Sequence, residues 1–314
     1  VHDGERWVLP ETLRARARRE VLRELVKNAF AGASPAEEVA LNERERAFGP
    51  KWKAVAVGQV RVVGSVPLEE LRLCAQALQA LEHFAQGVFQ VKHTLPEGLT
   101  VFLFDDPAQK TTFIEKHPSI PLAARAFHLA LEGGGVQGTA DFAFWTGDAQ
   151  RRIDGIVRLV LGYWLSGAFE LRTDHGWVYE GFGLFLTRAL VRSRLTWLAQ
   201  PSKTLPAAED MALRQRLLDP ESNWMEEAHK VLTSSTPPRL VEMAKKGASE
   251  LTTEEVLLAN ALVTYLLEVH PGDVARWLAR VGTGFSQLEA LGDATGHAPA
   301  ELERHLLRWL EERK

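Results

Sequence analysis

The hydrophobic pattern of the N-terminal part predicts two helices. Apolar residues recur at helical spacing over residues 10–30, which predicts the first helix. Ser34, with Glu37 three residues later, is typical of a helix start and predicts a second, short helix that ends near Gly49. We therefore expect residues 1–50 to form an N-terminal helical extension.

The middle of the chain alternates short strands with helices. Compact runs at residues 54–57, 60–63 and 99–104 are bounded by Gly, Pro or Asp and predict strands. Residues 67–89 carry apolar side chains on one helical stripe, and this stripe includes Cys74. This alternation indicates a mixed α/β lobe.

Two further extended segments are predicted on either side of a glycine triplet. The candidates are residues 127–131 and 139–146. The intervening triplet, Gly133 to Gly135, lacks the lysine and the hydroxyl residue of a phosphate-binding loop, so it predicts a tight turn.

From residue 153 onward the pattern is almost entirely helical. We expect an α+β, predominantly helical protein with a mixed α/β lobe over residues 51–170 and an all-helical lobe over residues 171–314. The helices of this part are predicted at about residues 153–167, 177–193, 209–218, 224–232, 238–246, 253–269, 271–281, 285–293 and 299–313.

Composition limits the class of protein more than it identifies a function. The 314 residues are 46% hydrophobic and 25% charged, as in ordinary folded proteins of about two domains. Lys and Arg number 37 against 41 Asp and Glu, so no basic surface for nucleic acid is expected. The single cysteine excludes an internal disulfide. No apolar run is long enough for a membrane span, and a chain that begins with Val1 leaves the compartment open.

Two apolar helices each carry one charged residue within their apolar core segment. Arg158 is the charged residue inside the first, and Glu180 is the acid on the second. A buried charge without a partner costs several kcal/mol, so each of these side chains needs one. We expect Arg158 to pair with Glu180; the alternative is that each side chain reaches solvent or pairs elsewhere.

These two helices resemble the catalytic helices of gluzincin metallopeptidases, the peptidase MA-like zincins. The second helix begins Trp177-x-x-Glu180-Gly181, similar to the family motif that supplies the third zinc ligand. In the family, the first helix carries HExxH, in which two histidines bind zinc and the glutamate activates water. The resemblance covers residues 52–314 and implies a zincin-like fold with two lobes.

The chain departs from this family at the positions that carry the chemistry. Arg158 and Gly162 stand where the resemblance places the two histidines, and Leu159 stands at the position of the general base. Glu180 follows Gly162 by 18 residues, close to the family spacing. No tyrosine stands near residues 256–258, where the family has one that stabilises the transition state.

The resemblance therefore implies a pseudopeptidase without catalytic residues, bound metal or cofactor. The vestigial site would consist of six residues on the two helices. An unidentified protein or peptide is the expected partner, and the oligomeric state stays open. The six residues are Arg158, Leu159, Gly162, Trp177, Glu180 and Gly181.

In the family, substrate lies extended along an edge strand beside the cleft. The resemblance makes residues 139–145 the candidate for that strand, with Phe142, Phe144 and Trp145 as contacts. The same alternation also suits a strand packed on both faces, and we favour this second interpretation.

Other functions stay open. His297 and His305 are eight residues apart, and no histidine pattern in the chain forms a recognisable set of three ligands, so no metal site is expected. The first alternative is an active hydrolase with a different site, and the second is a scaffold protein. The third is a metalloenzyme whose ligands come from distant parts of the chain.

Overall fold

The structure is a computed structural model that describes residues 10–130, 134–137, 140–193, 208–219 and 221–313. These residues form a mostly helical α+β protein with a mixed sheet in the N-terminal part and helices alone in the C-terminal part. The chain divides into two compact units, and each unit is built from more than one segment of the chain. One unit comprises Val1–Leu25, Gln86–Val91 and Leu165–Lys314, and the other comprises Val26–Ala85 and Lys92–Trp164.

The sheet has six strands in the order β1-β2-β3-β4-β6-β5. Strands β3, β4 and β6 are parallel, whereas β1 pairs antiparallel with β2, β2 with β3, and β5 with β6. The strands are β1 (Glu37–Val39), β2 (Lys53–Val57), β3 (Val60–Gly64), β4 (Thr100–Phe104), β5 (Gly134–Gln137) and β6 (Asp141–Trp145).

Most α-helices of the described residues lie close to the predicted positions, above all in the C-terminal part, whereas the helices at Glu43–Phe48 and Leu122–Ala130 do not. They are α1 (Pro10–Ala31), α2 (Glu43–Phe48), α3 (Leu68–Phe89), α4 (Pro107–Lys116), α5 (Leu122–Ala130), α6 (Ala149–Phe169), α7 (Gly176–Val191), α8 (Ala208–Leu218), α9 (Trp224–Leu232), α10 (Leu240–Met243), α11 (Thr253–Val269), α12 (Val274–Gly282), α13 (Gln287–Thr295) and α14 (Pro299–Glu311). None of the helices described here is both long enough and apolar enough to cross a membrane.

The predicted helix after Ser34 is wrong, because a stronger helix start lies further along the chain. The Asn42 side chain accepts a hydrogen bond from the backbone N–H of Glu45 (2.9 Å). In return, the Glu45 carboxylate accepts a hydrogen bond from the backbone N–H of Asn42 (2.8 Å). This capping box begins α2, and the residues before it form β1. Residues 1–50 are therefore not a helical extension, since β1 is part of the sheet.

The extended segment predicted at residues 127–131 is also wrong, because residues up to Ala130 belong to α5. The apolar side chains of this helix are partly exposed, with Leu122 at 80% and Phe127 at 63%. Such a surface helix has the same short apolar run as a strand, so the pattern alone does not separate the two. The glycine triplet is likewise not a turn, since Gly134 and Gly135 belong to β5 and Gly133 lies outside the described residues.

One face of the sheet packs on an aromatic core. The Trp145 ring stacks on Phe104, with 6.0 Å between ring centroids, and Trp52 stacks on the same Phe104 at the same distance. Phe102 and Phe113 extend the core, with their ring centroids 5.0 Å apart. This packing buries the carboxyl-terminal halves of β4 and β6 on that side.

Cys74 lies fully buried on α3, as the helical stripe predicts. Burial raises the pKa of its thiol well above the usual value, and the nearby Glu70 carboxylate raises it further. The thiol is therefore protonated at any ordinary pH.

In the helical unit, α7 and α11 approach closely at Gly181. A Cβ atom at this position would lie 2.7 Å from the backbone oxygen of Ala259 and 2.7 Å from Cγ2 of Val263. One helical turn before Gly181, the Trp177 ring stacks on Trp277 with 5.5 Å between centroids. The glycine therefore lets the two helix backbones meet beside a stacked tryptophan pair.

We expect Gly181→Ala to lower the free energy of unfolding. Overpacking of this kind costs about 1–3 kcal/mol, against the roughly 1 kcal/mol that alanine gains over glycine in helix propensity. Gly147→Ala is the control, because a Cβ there meets no atom within 4 Å. Urea unfolding followed by circular dichroism measures both variants, and equal stabilities would contradict the close approach.

Candidate functional site

A buried ion pair holds the first turn of α6 against α3. Arg152 donates from Nε to one carboxylate oxygen of Glu70 (2.6 Å) and from Nη2 to the other (2.8 Å). The two side chains are 4% and 7% exposed. Arg152 also donates to the backbone oxygen of Thr146, just before the helix, and the hydrogen bond with Glu70 raises the pKa of its guanidinium. The pair therefore fixes where α6 begins.

A stripe of residues spaced four apart on α6 then packs against the sheet. The Phe144 ring lies where a Cβ of Gly155 would be, within 2.2 Å, so only glycine admits it. One turn later, Cδ2 of Leu159 lies 3.1 Å from the Cβ position of Gly135 on β5. After one more turn, the Tyr163 ring meets Phe142 edge-on at 5.5 Å. Residues 155, 159 and 163 of α6, which are spaced four apart, therefore face β5 or β6.

Arg158 and Gly162 lie next to this stripe and, being four residues apart, share a face of α6. Arg158 is 8% exposed, Gly162 is buried and Leu159 is half-buried. An arginine offers only hydrogen-bond donors, and leucine and glycine offer no side-chain donor or acceptor. These three positions of α6 therefore supply no metal ligand and no general base.

The other residues that carry the resemblance lie on α7, in the helical unit. Glu180 is 1% exposed and Trp177 is fully buried, while Gly181 faces α11. Val256, Leu257 and Leu258, the positions where the resemblance would place a tyrosine, are buried near the start of α11. Arg158 belongs to the other unit, so its pairing with Glu180 stays a prediction.

The strand predicted to form the edge is not at the edge. β6 pairs with β4 on one side and with β5 on the other, so Phe142, Phe144 and Trp145 belong to an inner strand. Phe142 and Phe144 face α6, and Trp145 faces the aromatic core. The interpretation of a strand packed on both faces is confirmed, and the edge-strand role of these residues is wrong.

The edge beside α6 is β5 instead. It is antiparallel to β6, and among the strands of the described residues β6 is its sole partner. Periodicity could not reveal this, because strand order depends on pairing between distant segments. The glycines of β5 gave the available signal, since Gly135 is the residue that lets Leu159 of α6 approach.

A cavity of about 300 Å³ lies where β4 and β6 end. Trp145 and Leu129 form part of its apolar wall, and Asp105 and Asp106 bring two carboxylates. The buried Lys110 donates from Nζ to the backbone oxygen of Leu129 (2.9 Å) and lies 5.7 Å from the Trp145 ring centroid. The carboxyl ends of parallel strands are a common place for ligand sites.

The structure also brings together histidines that the sequence pattern did not connect. His297, Glu301 and His305 offer ligand atoms that all lie within 4.8 Å of one another. The spacing of four residues from Glu301 to His305 on α14 was the available signal. The contribution of His297 depends on the turn before the helix, and spacing alone does not predict that turn.

Comparison of the chain with known proteins gives no match to a family model, to a curated protein or to a solved structure. The resemblance to gluzincins therefore depends on the quoted residues alone.

We expect the Arg152–Glu70 pair to show strong coupling. Glu70→Gln leaves the buried guanidinium without its charge partner, which costs about 3–5 kcal/mol of unfolding free energy. The double variant Glu70→Leu with Arg152→Met removes both charges and is expected to be more stable than Glu70→Gln. Chemical unfolding of the wild type and the two variants measures this, and a double variant less stable than Glu70→Gln would contradict the prediction.

The start of β6 is expected to make stability depend on pH in the acid range. Burial raises the pKa of Asp141, but hydrogen bonds from His117 and Arg44 lower it more, so the pKa falls below its usual 3.8. Because the folded pKa is the lower one, this stabilisation is full above pH 3.8 and is lost as the pH falls through the folded pKa.

Thermal unfolding of the wild type and Asp141→Asn between pH 2 and 7 measures this effect. The stability gap between the two proteins should narrow below about pH 4. A gap that stays constant with pH would show that Asp141 does not contribute through its charge.

Proposed function

We propose that the protein is a catalytically inactive, zincin-like protein that binds an extended peptide along β5. The observation that carries the proposal is the antiparallel edge strand β5 beside α6, a helix whose Arg158, Leu159 and Gly162 replace the HExxH residues. The edge strand suits peptide binding, and the three residues of α6 supply neither a metal ligand nor a general base.

An edge strand binds peptides through its backbone. The N–H and C=O groups on the outer side of β5 can pair with an added strand, which is a general mode of peptide recognition. Such pairing needs no particular side chain on β5. Specificity must then come from neighbouring pockets.

The cavity at the end of β6 provides such a pocket. Gly134, the first residue of β5, pairs with Trp145, which lines the cavity, so a peptide along β5 passes this point. The carboxylates of Asp105 and Asp106 outnumber the single ammonium of Lys110 in the lining. The half-buried Leu129 offers apolar surface in the cavity for the stem of a long side chain. We therefore propose a peptide with a lysine or an arginine at this position.

Hydrolysis is not expected at α6. A zincin needs a base to activate water, and Leu159 cannot accept a proton. Nor can Arg158 hold a cation, since the guanidinium is itself positively charged. Binding without turnover is therefore the function that these residues support.

The first test uses two synthetic decapeptide libraries with either lysine or glutamate fixed at the centre. Fluorescence anisotropy should show binding of the lysine library and much weaker binding of the glutamate library. Asp105→Asn should weaken the binding of the lysine library by about two- to fivefold, the typical effect of one exposed charge pair. Mass spectrometry of the same mixtures should show intact peptides; cleavage would favour the alternative of an active hydrolase.

A matched pair of variants tests whether β5 is the binding strand. Along an antiparallel edge, backbone N–H groups point alternately toward the partner strand and away from it. One of Val136→Pro and Gln137→Pro should therefore lose the pairing with β6 and lower stability, and the other should lose an outward N–H. The stable variant is expected to lose peptide binding; if it binds as the wild type does, β5 is not the site.

A further inference from the structure

The helical unit contains a cluster of metal-ligating side chains. The ligand atoms of His297, Glu301 and His305 all lie within 4.8 Å of one another, and Nδ1 of His297 is 3.5 Å from the Glu301 carboxylate. The two imidazole rings are nearly perpendicular, with 4.3 Å between their centroids. All three side chains are half-buried, so an ion can reach them from solvent.

The local backbone explains why these residues meet. Gly296 ends α13 in the left-handed conformation (φ 74°), and Pro299 begins α14 two residues after His297. The turn therefore sets His297 directly before the helix. Glu301 and His305 follow on α14, four residues apart on one face.

The distances suit a small divalent cation. Zinc binds nitrogen and oxygen ligands at about 2.0–2.1 Å, which in a tetrahedral site separates neighbouring ligand atoms by roughly 3.3–3.5 Å. The His297–Glu301 distance already has this value, and the other separations need to contract by about 1.5 Å at most. Rotation of half-exposed side chains on a fixed backbone is sufficient for such a change.

We infer that His297, Glu301 and His305 form a binding site for a divalent transition metal ion, with zinc as the expected ion. Two imidazoles and one carboxylate are a donor set that zinc accepts, and the ion would neutralise the carboxylate and separate the two rings. The set leaves a fourth coordination position for water.

A small cavity next to His305 provides room and polar groups for a water molecule. His305 and Tyr265 line a cavity of about 50 Å³, which exceeds the volume needed by one water molecule. The Tyr265 hydroxyl is 3.4 Å from Nε2 of His270, whose ring centroid is 6.1 Å from that of His297. His270 thus lies beside His297, and the Tyr265 side chain shares the cavity with His305.

This metal site is independent of the proposed peptide site. Its ligands belong to the helical unit, and β5 belongs to the other unit. Metal binding and peptide binding also have separate readouts, so the failure of one proposal leaves the other intact.

The test begins with the full chain, treated with a chelator and then titrated with Co²⁺. We expect one equivalent to bind, with visible absorption bands of four- or five-coordinate Co²⁺, and Zn²⁺ to displace it. His305→Ala, His297→Ala and Glu301→Gln should each weaken Zn²⁺ binding by about 100-fold or more, since each removes one of three ligands. His83→Ala is the control, because His83 is exposed and lies in the other unit.

Circular dichroism of each variant shows whether it is folded, and Glu301→Gln keeps the size of the side chain in case an alanine variant does not fold. The inference is overturned if Co²⁺ shows only the spectrum of the hydrated ion. It is equally overturned if the folded ligand variants bind Zn²⁺ as tightly as His83→Ala does. In both results, peptide binding by the His305→Ala variant should remain that of the wild type.

Discussion

The buried pair of Arg152 and Glu70 is the interaction on which the sheet-bearing unit depends. Two parallel hydrogen bonds in a dry environment set both the position and the direction of the first turn of α6. The glycine and leucine that follow on this helix can then meet Phe144 and the edge strand at close range. A shift of the helix start by one residue would turn this stripe away from the sheet.

Local patterns predicted most helices and the inner strands, because helix periodicity and compact apolar runs are properties of neighbouring residues. The capping box of Asn42 and Glu45 is also a local pattern, but Ser34 with Glu37 three residues later gave a competing signal for a helix start. The place of β6 inside the sheet was not predictable in this way. Strand order is decided by pairing between segments far apart in sequence. The hydrophobic pattern around Phe142 would be the same in an edge strand and in an inner strand, so it does not tell the two apart.

The candidate sites show the same division. That Arg158, Leu159 and Gly162 offer no metal ligand and no general base can be seen in the sequence, since a single helix contains all three positions. The convergence of His297 with Glu301 and His305 needs the left-handed turn at Gly296, which a count of residue spacings does not contain. If the inferred site binds zinc, the metal content of the whole protein does not by itself report on α6. Peptide binding and metal binding are therefore best measured on separate variants.

The lone thiol of the chain has a use that follows from its burial. Cys74 lies one helical turn after Glu70, is fully buried and carries a raised pKa, so it cannot react while α3 stays packed. Its alkylation requires that this part of the molecule open. The rate of labelling by a thiol reagent therefore reports directly how often the sheet-bearing unit opens, without any engineered probe.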